Sequence, residues 1–198
     1  MKMCENCPRP NSLCEAGSMS ECNITKEDLY QQICDTLQIL YSKNYYLIEH
    51  EVNEVCLSTH FWHYFKLNYS DLYKGYDIDP EYNRSGDDPK KYANQTGDTL
   101  NCAKPDMIIH KRGCNKYNFA YFEFKTFWNN DKTGKANDIK KLKAFTSSSE
   151  LFIYKGRPYS YNYVHGIYII LYPDKAEIYW YSNGKCENDN PCKWSYSR

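Results

Sequence analysis

Pro105-Asp106-Met107-Ile108-Ile109-His110-Lys111-Arg112-Gly113, followed by Phe122-Glu123-Phe124-Lys125, is the stretch from which the rest of this chain is read. Asp106 opens an apolar run, while Glu123 and Lys125 lie within 117–127, an aromatic-rich segment with the composition of a strand. Gly113 suits the turn of a hairpin between strands predicted at 106–111 and 117–127. Strand side chains alternate, so Glu123 and Lys125 project from one face and reach a common point. A glutamate between two phenylalanines in mid-strand fits poorly there, and an unpaired aspartate at the mouth of a buried strand is costly unless it binds something. Two carboxylates and a lysine at the ends of neighbouring strands are what metal-assisted phosphodiester cleavage requires. The carboxylates hold a hard divalent cation, the cation polarises the phosphate and acidifies a water, and the lysine orients or activates that water.

Working outward, Thr25-Lys26-Glu27-Asp28 has the form of a helix start, with Leu29, Ile33, Leu37 and Leu40 as one apolar stripe. A break is expected at 42–44, then a second helix over 46–67. The segment 76–83 reads as a strand interrupted by Pro80, hence edge-like or bulged, and 84–104 as a long polar loop. Beyond the motif, 138–146 reads as a helix with Ile139, Leu142 and Phe145 inward and Lys140, Lys141 and Lys143 outward. A final hairpin over 163–172 and 176–181 turns at Pro173-Asp174. The order is helix, helix, three strands, helix, two strands, without internal repeats.

Several blocks in this order carry a resemblance. Tyr76-Asp77-Ile78-Asp79-Pro80-Glu81-Tyr82-Asn83-Arg84, the Pro105–Gly113 block, Phe122-Glu123-Phe124-Lys125 and Asp138-Ile139-Lys140-Lys141-Leu142 together resemble the PD-(D/E)XK nuclease superfamily. They look most like a group of small bacterial and archaeal proteins of that fold. The resemblance spans about residues 50–173 and leaves out the first forty and the last twenty. It implies an α/β fold of mixed sheet, a restriction-endonuclease-like αβββαβ core within residues 25–198. Three antiparallel strands would be followed by a crossover helix and a strand pairing in parallel. It further implies that Asp106 and Glu123 bind Mg²⁺ or Mn²⁺, that Lys125 serves the attacking water, and that the first core helix adds a glutamate. Glu54 matches that place best, with Glu51 one turn earlier as the alternative. Glu81 matches a recurring acid of the extended block. DNA is favoured over RNA as the substrate by this resemblance alone.

Composition bounds the remaining possibilities. A chain of 198 residues suits one well-buried domain with small appendages. Its 21 tyrosines and negative mean hydropathy describe a polar, aromatic-rich soluble protein. No apolar stretch approaches the roughly 20 residues of a membrane span. Met1-Lys2-Met3 runs into Cys4 without an apolar signal region, so a cytoplasmic setting with reduced thiols is expected. The net charge is zero, yet 104–157 holds twelve Lys and Arg against five Asp and Glu. That surplus around the motif points to a phosphate-facing surface in which Lys140, Lys141 and Lys143 contact nucleic acid.

Residues 1–24 are a separate cysteine-rich segment. Cys4, Cys7, Cys14 and Cys22 are four soft ligands in a stretch too short and polar to fold alone, and they read as a metal-stapled module. The first pair has zinc-knuckle spacing and the second does not, so Zn²⁺ and a 4Fe–4S cluster both stand. Cys186 and Cys192 make a further pair or complete a mixed site. Cys34 and Cys56 are expected as buried helix thiols, while His60, His63 and His110 lack the spacing of a site.

The reading is a divalent-metal-dependent nuclease with an N-terminal cysteine module. Its rival is a protein of the same fold that binds nucleic acid or another protein without chemistry. A third reading is a thiol-rich metal or redox protein in which the motif is accidental.

Overall fold

The structure, a computed structural model, describes residues 23–85, 88–93, 100–147, 153–155, 157–159, 161–188 and 190–197. Helix α1 (Lys26–Glu49) starts as its sequence demands. Asp28 N–H donates to Thr25 Oγ1 at 3.1 Å, and Thr25 N–H donates to Asp28 Oδ2 at 2.9 Å, which closes a capping box. The expected break is a kink at Asn44 (φ −124°, ψ 23°), and the helix continues past it to Glu49. Tyr64 O–H donates to Asn44 Oδ1 at 2.8 Å, so a tertiary contact holds the kinked residue. Helix α2 (Glu54–Tyr69) therefore begins later than its apolar pattern indicates, at the Asn53 cap, whose side chain accepts from Cys56 N–H at 3.0 Å.

Three strands follow, β1 (Asp77–Pro80), β2 (Met107–Lys111) and β3 (Cys114–Thr126), paired antiparallel in that order. Arg112-Gly113 makes the β2–β3 turn, where Gly113 takes φ +73°, a conformation that favours glycine. Helix α3 (Lys132–Thr146) starts six residues earlier than expected, because Asp131 caps it by accepting from Gly134 N–H at 2.9 Å. The chain then crosses to β4 (His165–Leu171), which pairs in parallel with β3, and returns through β5 (Lys175–Ser182) antiparallel to β4. Two short strands missing from the sequence reading, β6 (Lys185–Cys186) and β7 (Cys192–Ser195), both pair with β5. The sheet is thus seven-stranded, mixed and mostly antiparallel. In place of the long loop at 84–104, two-residue strands pair at Arg84–Ser85 and Asp88–Pro89, and Lys91–Ala93 pairs with Leu100–Cys102.

Alternation divides the core between the two faces of the sheet. Phe122, Phe124, Ile167, Ile169 and Ile178 pack with Ile33, Leu37 and Leu40 of α1 and with Phe61 and Phe65 of α2. Ile108, Tyr121, Tyr168 and Tyr181 pack on the other face with Leu142, Ala144 and Phe145 of α3. Helix α3 approaches closely at Gly166. A Cβ there would lie 2.8 Å from Thr146 Cγ2 and 3.0 Å from Tyr181 Cβ, so only glycine leaves room for the helix. No helix among the described residues is long and apolar enough to cross a membrane.

Candidate active site

Glu123 and Lys125 project from the α3 face of β3, and both are buried. Glu123 Oε1 accepts from Tyr121 O–H at 2.6 Å and from Lys141 Nζ at 2.7 Å. Lys141 Nζ also lies 2.7 Å from Asp138 Oδ1, one helical turn away on α3. Asp138 Oδ2 lies 2.8 Å from Lys125 Nζ, which in turn reaches Glu54 Oε1 at 2.6 Å. Glu54 stands in the first turn of α2, and its other oxygen accepts from Asn129 Nδ2 at 3.0 Å. A continuous chain of charged contacts therefore joins the start of α2, the end of β3 and the inner face of α3.

Asp106 enters the same place from the mouth of β2. Its Oδ2 accepts from the backbone N–H of Phe124 at 2.7 Å, between Glu123 and Lys125. Burial raises its carboxyl to about 6; the Phe124 N–H, Lys141 and Lys125 work against that rise, and Asp138 adds to it. Glu123 is pushed well above the usual carboxylate range, first by burial, against Lys141, with Asp106 and Asp138 adding repulsion. Burial disfavours charge on Lys125 and Lys141 too, but their carboxylate partners outweigh it and both are raised. The two ammoniums stay charged.

Of the residues singled out in the sequence, Asp106, Glu123, Lys125 and Glu54 are thus brought together. Glu51 is exposed, at φ +52° beyond the end of α1, and takes no part. Glu81 pairs with Lys104 at 2.7 Å, both largely exposed. Lys141 is corrected: it turns inward to Glu123 and Asp138 rather than outward to a phosphate. Lys140 is exposed and Lys143 partly so. Asp138, Tyr121 and Asn129 are members of the centre to which the sequence reading gave no role, and Lys141 is one to which it gave a different role. The i, i+3 spacing of Asp138 and Lys141, and the i, i+2 spacing of Tyr121 and Glu123, were the available signals.

Among the described residues no group of three or more His, Cys, Asp or Glu side chains forms a metal cage. Cys4, Cys7, Cys14 and Cys22 lie outside the described residues. Cys34 and Cys56 are half-buried rather than buried, and Cys186 and Cys192 are free thiols on β6 and β7. His110 is buried at β2, with Nε2 3.1 Å from Asp79 Oδ2, and Arg112 Nε donates to the same oxygen at 2.7 Å. That pairing accounts for His110 without a ligand.

No family model, curated protein or solved structure matches this chain.

Proposed function

We propose that this protein is a divalent-metal-dependent nuclease with a restriction-endonuclease-like core, hydrolysing phosphodiester bonds, in DNA by the resemblance of its motif. One observation carries the reading: Asp106, latched to the Phe124 N–H, and Glu123, paired with Lys141, belong to one buried centre whose charges do not balance. Among the described residues, Glu54, Asp106, Glu123 and Asp138 face two cations, Lys125 and Lys141, which leaves two negative charges when all six are ionised. Burial makes that excess costly, as the raised Asp106 and Glu123 carboxyls express. A divalent cation has the matching charge, and carboxylate oxygens are the hard donors that Mg²⁺ or Mn²⁺ takes. Mg²⁺ is commonly held by one or two carboxylates while it keeps several waters, so a cage of three acids is not required. The element order α2, β1–β3, α3, β4 supports the core that the resemblance implies.

Asp106 and Glu123 would hold the cation. When bound, it supplies charge neutralisation at the phosphate and a more acidic water. Lys125 has a narrower role than a base: Asp138 and Glu54 keep its ammonium charged, so it donates hydrogen bonds and orients water or phosphate without accepting a proton. Glu54, anchored by Asn129, holds Lys125 in place. Asp138 and Lys141 fix the remaining sides of the two motif residues.

Mn²⁺ calorimetry and cleavage of plasmid DNA, on wild type, Asp106→Asn and Lys125→Met, test this reading. Wild type is expected to bind and cut, Asp106→Asn to do neither, and Lys125→Met to bind the cation without cutting. Equal Mn²⁺ affinity in wild type and Asp106→Asn would end the proposal. The second reading, a nuclease fold that binds nucleic acid without cutting it, is favoured by one contact. Lys141 Nζ already sits between Glu123 and Asp138 and supplies positive charge there. Nucleic acid retained uncut, with no cation bound, would support that reading.

A further inference from the structure

The face that carries Glu123 has a polar group that the roles above leave unused. Tyr168 stands on β4 beside Glu123 in the parallel register, and it is 4 % exposed. Its hydroxyl has no hydrogen-bond partner among the described residues. The contrast with Tyr121 is instructive, because that neighbour on the same face donates directly to Glu123. Burial raises the Tyr168 hydroxyl above its ordinary value, and the next contributions come from Asp138, Tyr181, Glu123 and Glu54. The hydroxyl thus feels the carboxylates of three different elements, and its strand position places it beside Glu123 on the same face.

A buried hydroxyl without a partner costs free energy that phenylalanine, of nearly the same shape, would not. Its presence among these carboxylates is explained if it has a partner that arrives with a ligand. We propose that Tyr168 is a positioning residue of this centre, its hydroxyl accepting a hydrogen bond from a water that enters with a hydrated divalent cation. A phenol oxygen can accept from such a water, and the Tyr168 hydroxyl, which no described side chain engages, is free to do so. The enclosure of Tyr168 fits a ligand as small as water better than a phosphodiester, and Mg²⁺ is the cation that keeps its waters most firmly. This inference rests on the cation reading given above.

Thermal melts with and without MgCl₂, together with Mg²⁺ calorimetry, on the full chain and its Tyr168→Phe variant, decide it. Without cation, Tyr168→Phe is expected to melt at or about 2–4 °C above wild type, since an unpartnered hydroxyl has been removed. With Mg²⁺ the wild type is expected to gain more, and the variant's affinity to be about five-fold weaker. A variant that melts below wild type without cation, or binds Mg²⁺ as tightly, overturns the inference. If wild type shows no response to Mg²⁺, the cation reading fails and takes this inference with it. If wild type responds and Tyr168→Phe responds in full, only the role of Tyr168 is lost.

Discussion

Asp106 Oδ2 accepts a 2.7 Å hydrogen bond from the backbone N–H of Phe124, so the aspartate of the motif is latched to the strand that carries its other two members. The bond does two jobs with one side chain. It ties the entry of β2 to β3, and it holds a carboxylate facing the centre. These two contributions separate by mutation. Asp106→Ala leaves the Phe124 N–H without its acceptor and is expected to cost about 1–3 kcal/mol. Asp106→Asn keeps an acceptor and removes a repelled charge, so urea melts should place it at or above wild type. Should the two variants lose equal stability, the latch is not what holds Phe124.

Lys141 is the partner of a fully buried glutamate, and removal of one member of a buried pair leaves the other uncompensated. Lys141→Met is expected to cost up to about 3–5 kcal/mol at neutral pH, less whatever Glu123 recovers by taking a proton. MnCl₂ should restore more stability to this variant than to wild type, because the cation replaces the missing charge. Melting curves with and without MnCl₂ check this, and a variant indifferent to Mn²⁺ would count against the cation.

The outward lysines behave differently. With Lys141 turned inward, neutralising Lys140 and Lys143 together should lower the salt dependence of nucleic-acid binding by up to about two units of slope. Adding Lys141→Met to that pair should lower it no further. An additional unit lost with Lys141 would mean that its ammonium leaves Glu123 for a phosphate.

Gly166 stands where α3 meets the sheet. A Cβ there meets Thr146, Tyr181 and Leu142 at 2.8–3.2 Å, so Gly166→Ala must push α3 off the sheet. Overpacking of this kind costs about 1–3 kcal/mol. Because α3 carries Asp138 and Lys141, the variant should also bind Mn²⁺ more weakly. Full affinity with lowered stability would show that the helix position does not govern the centre.

Lys90 contributes a pH dependence of its own. It is 1 % exposed, its Nζ lies 3.0 Å from Tyr163 Oη, and the rings of Tyr82, Tyr161 and Tyr163 stand 5.4–5.5 Å away. Burial lowers it from 10.5 to about 7, with Asp79 opposing the fall. Between those values the unfolded chain holds a proton on Lys90 that the native chain does not, so the contribution of this group to stability rises with pH from about 7 to about 10. Above that window Tyr161 and Tyr163, both raised by burial, take the slope the other way. Below pH 7 the native state carries the whole cost, roughly 3–5 kcal/mol. Lys90→Met should flatten the rise and be more stable than wild type at pH 6. A pH series of urea melts reads both.

The strands and charges of the motif were legible in the sequence because they depend on local order. An apolar run after Asp106, an aromatic alternation around Glu123, and a glycine between them are enough to specify a hairpin with Glu123 and Lys125 on one face. The cap at Thr25 and the stripe from Leu29 to Leu40 were legible for the same reason. Glu54 was named from the resemblance, and its contact with Lys125 depends on the cap at Asn53 that starts α2.

What only the tertiary structure decided is how those charges are partnered. Helical spacing puts Asp138 and Lys141 one turn apart, but it does not say that the face they share meets β3. That follows from the crossover of α3 onto the sheet at Gly166, where a buried glutamate needs a cation and Lys141 is within reach. The short strands at 185–186 and 192–195 were illegible because two to four polar residues become a strand only when an edge such as β5 offers them hydrogen bonds. Sequence alone determined which acids and lysines this protein has to work with. Packing determined which of them face one another, because burial, and the pairing it enforces, belongs to the assembled fold and not to any one segment.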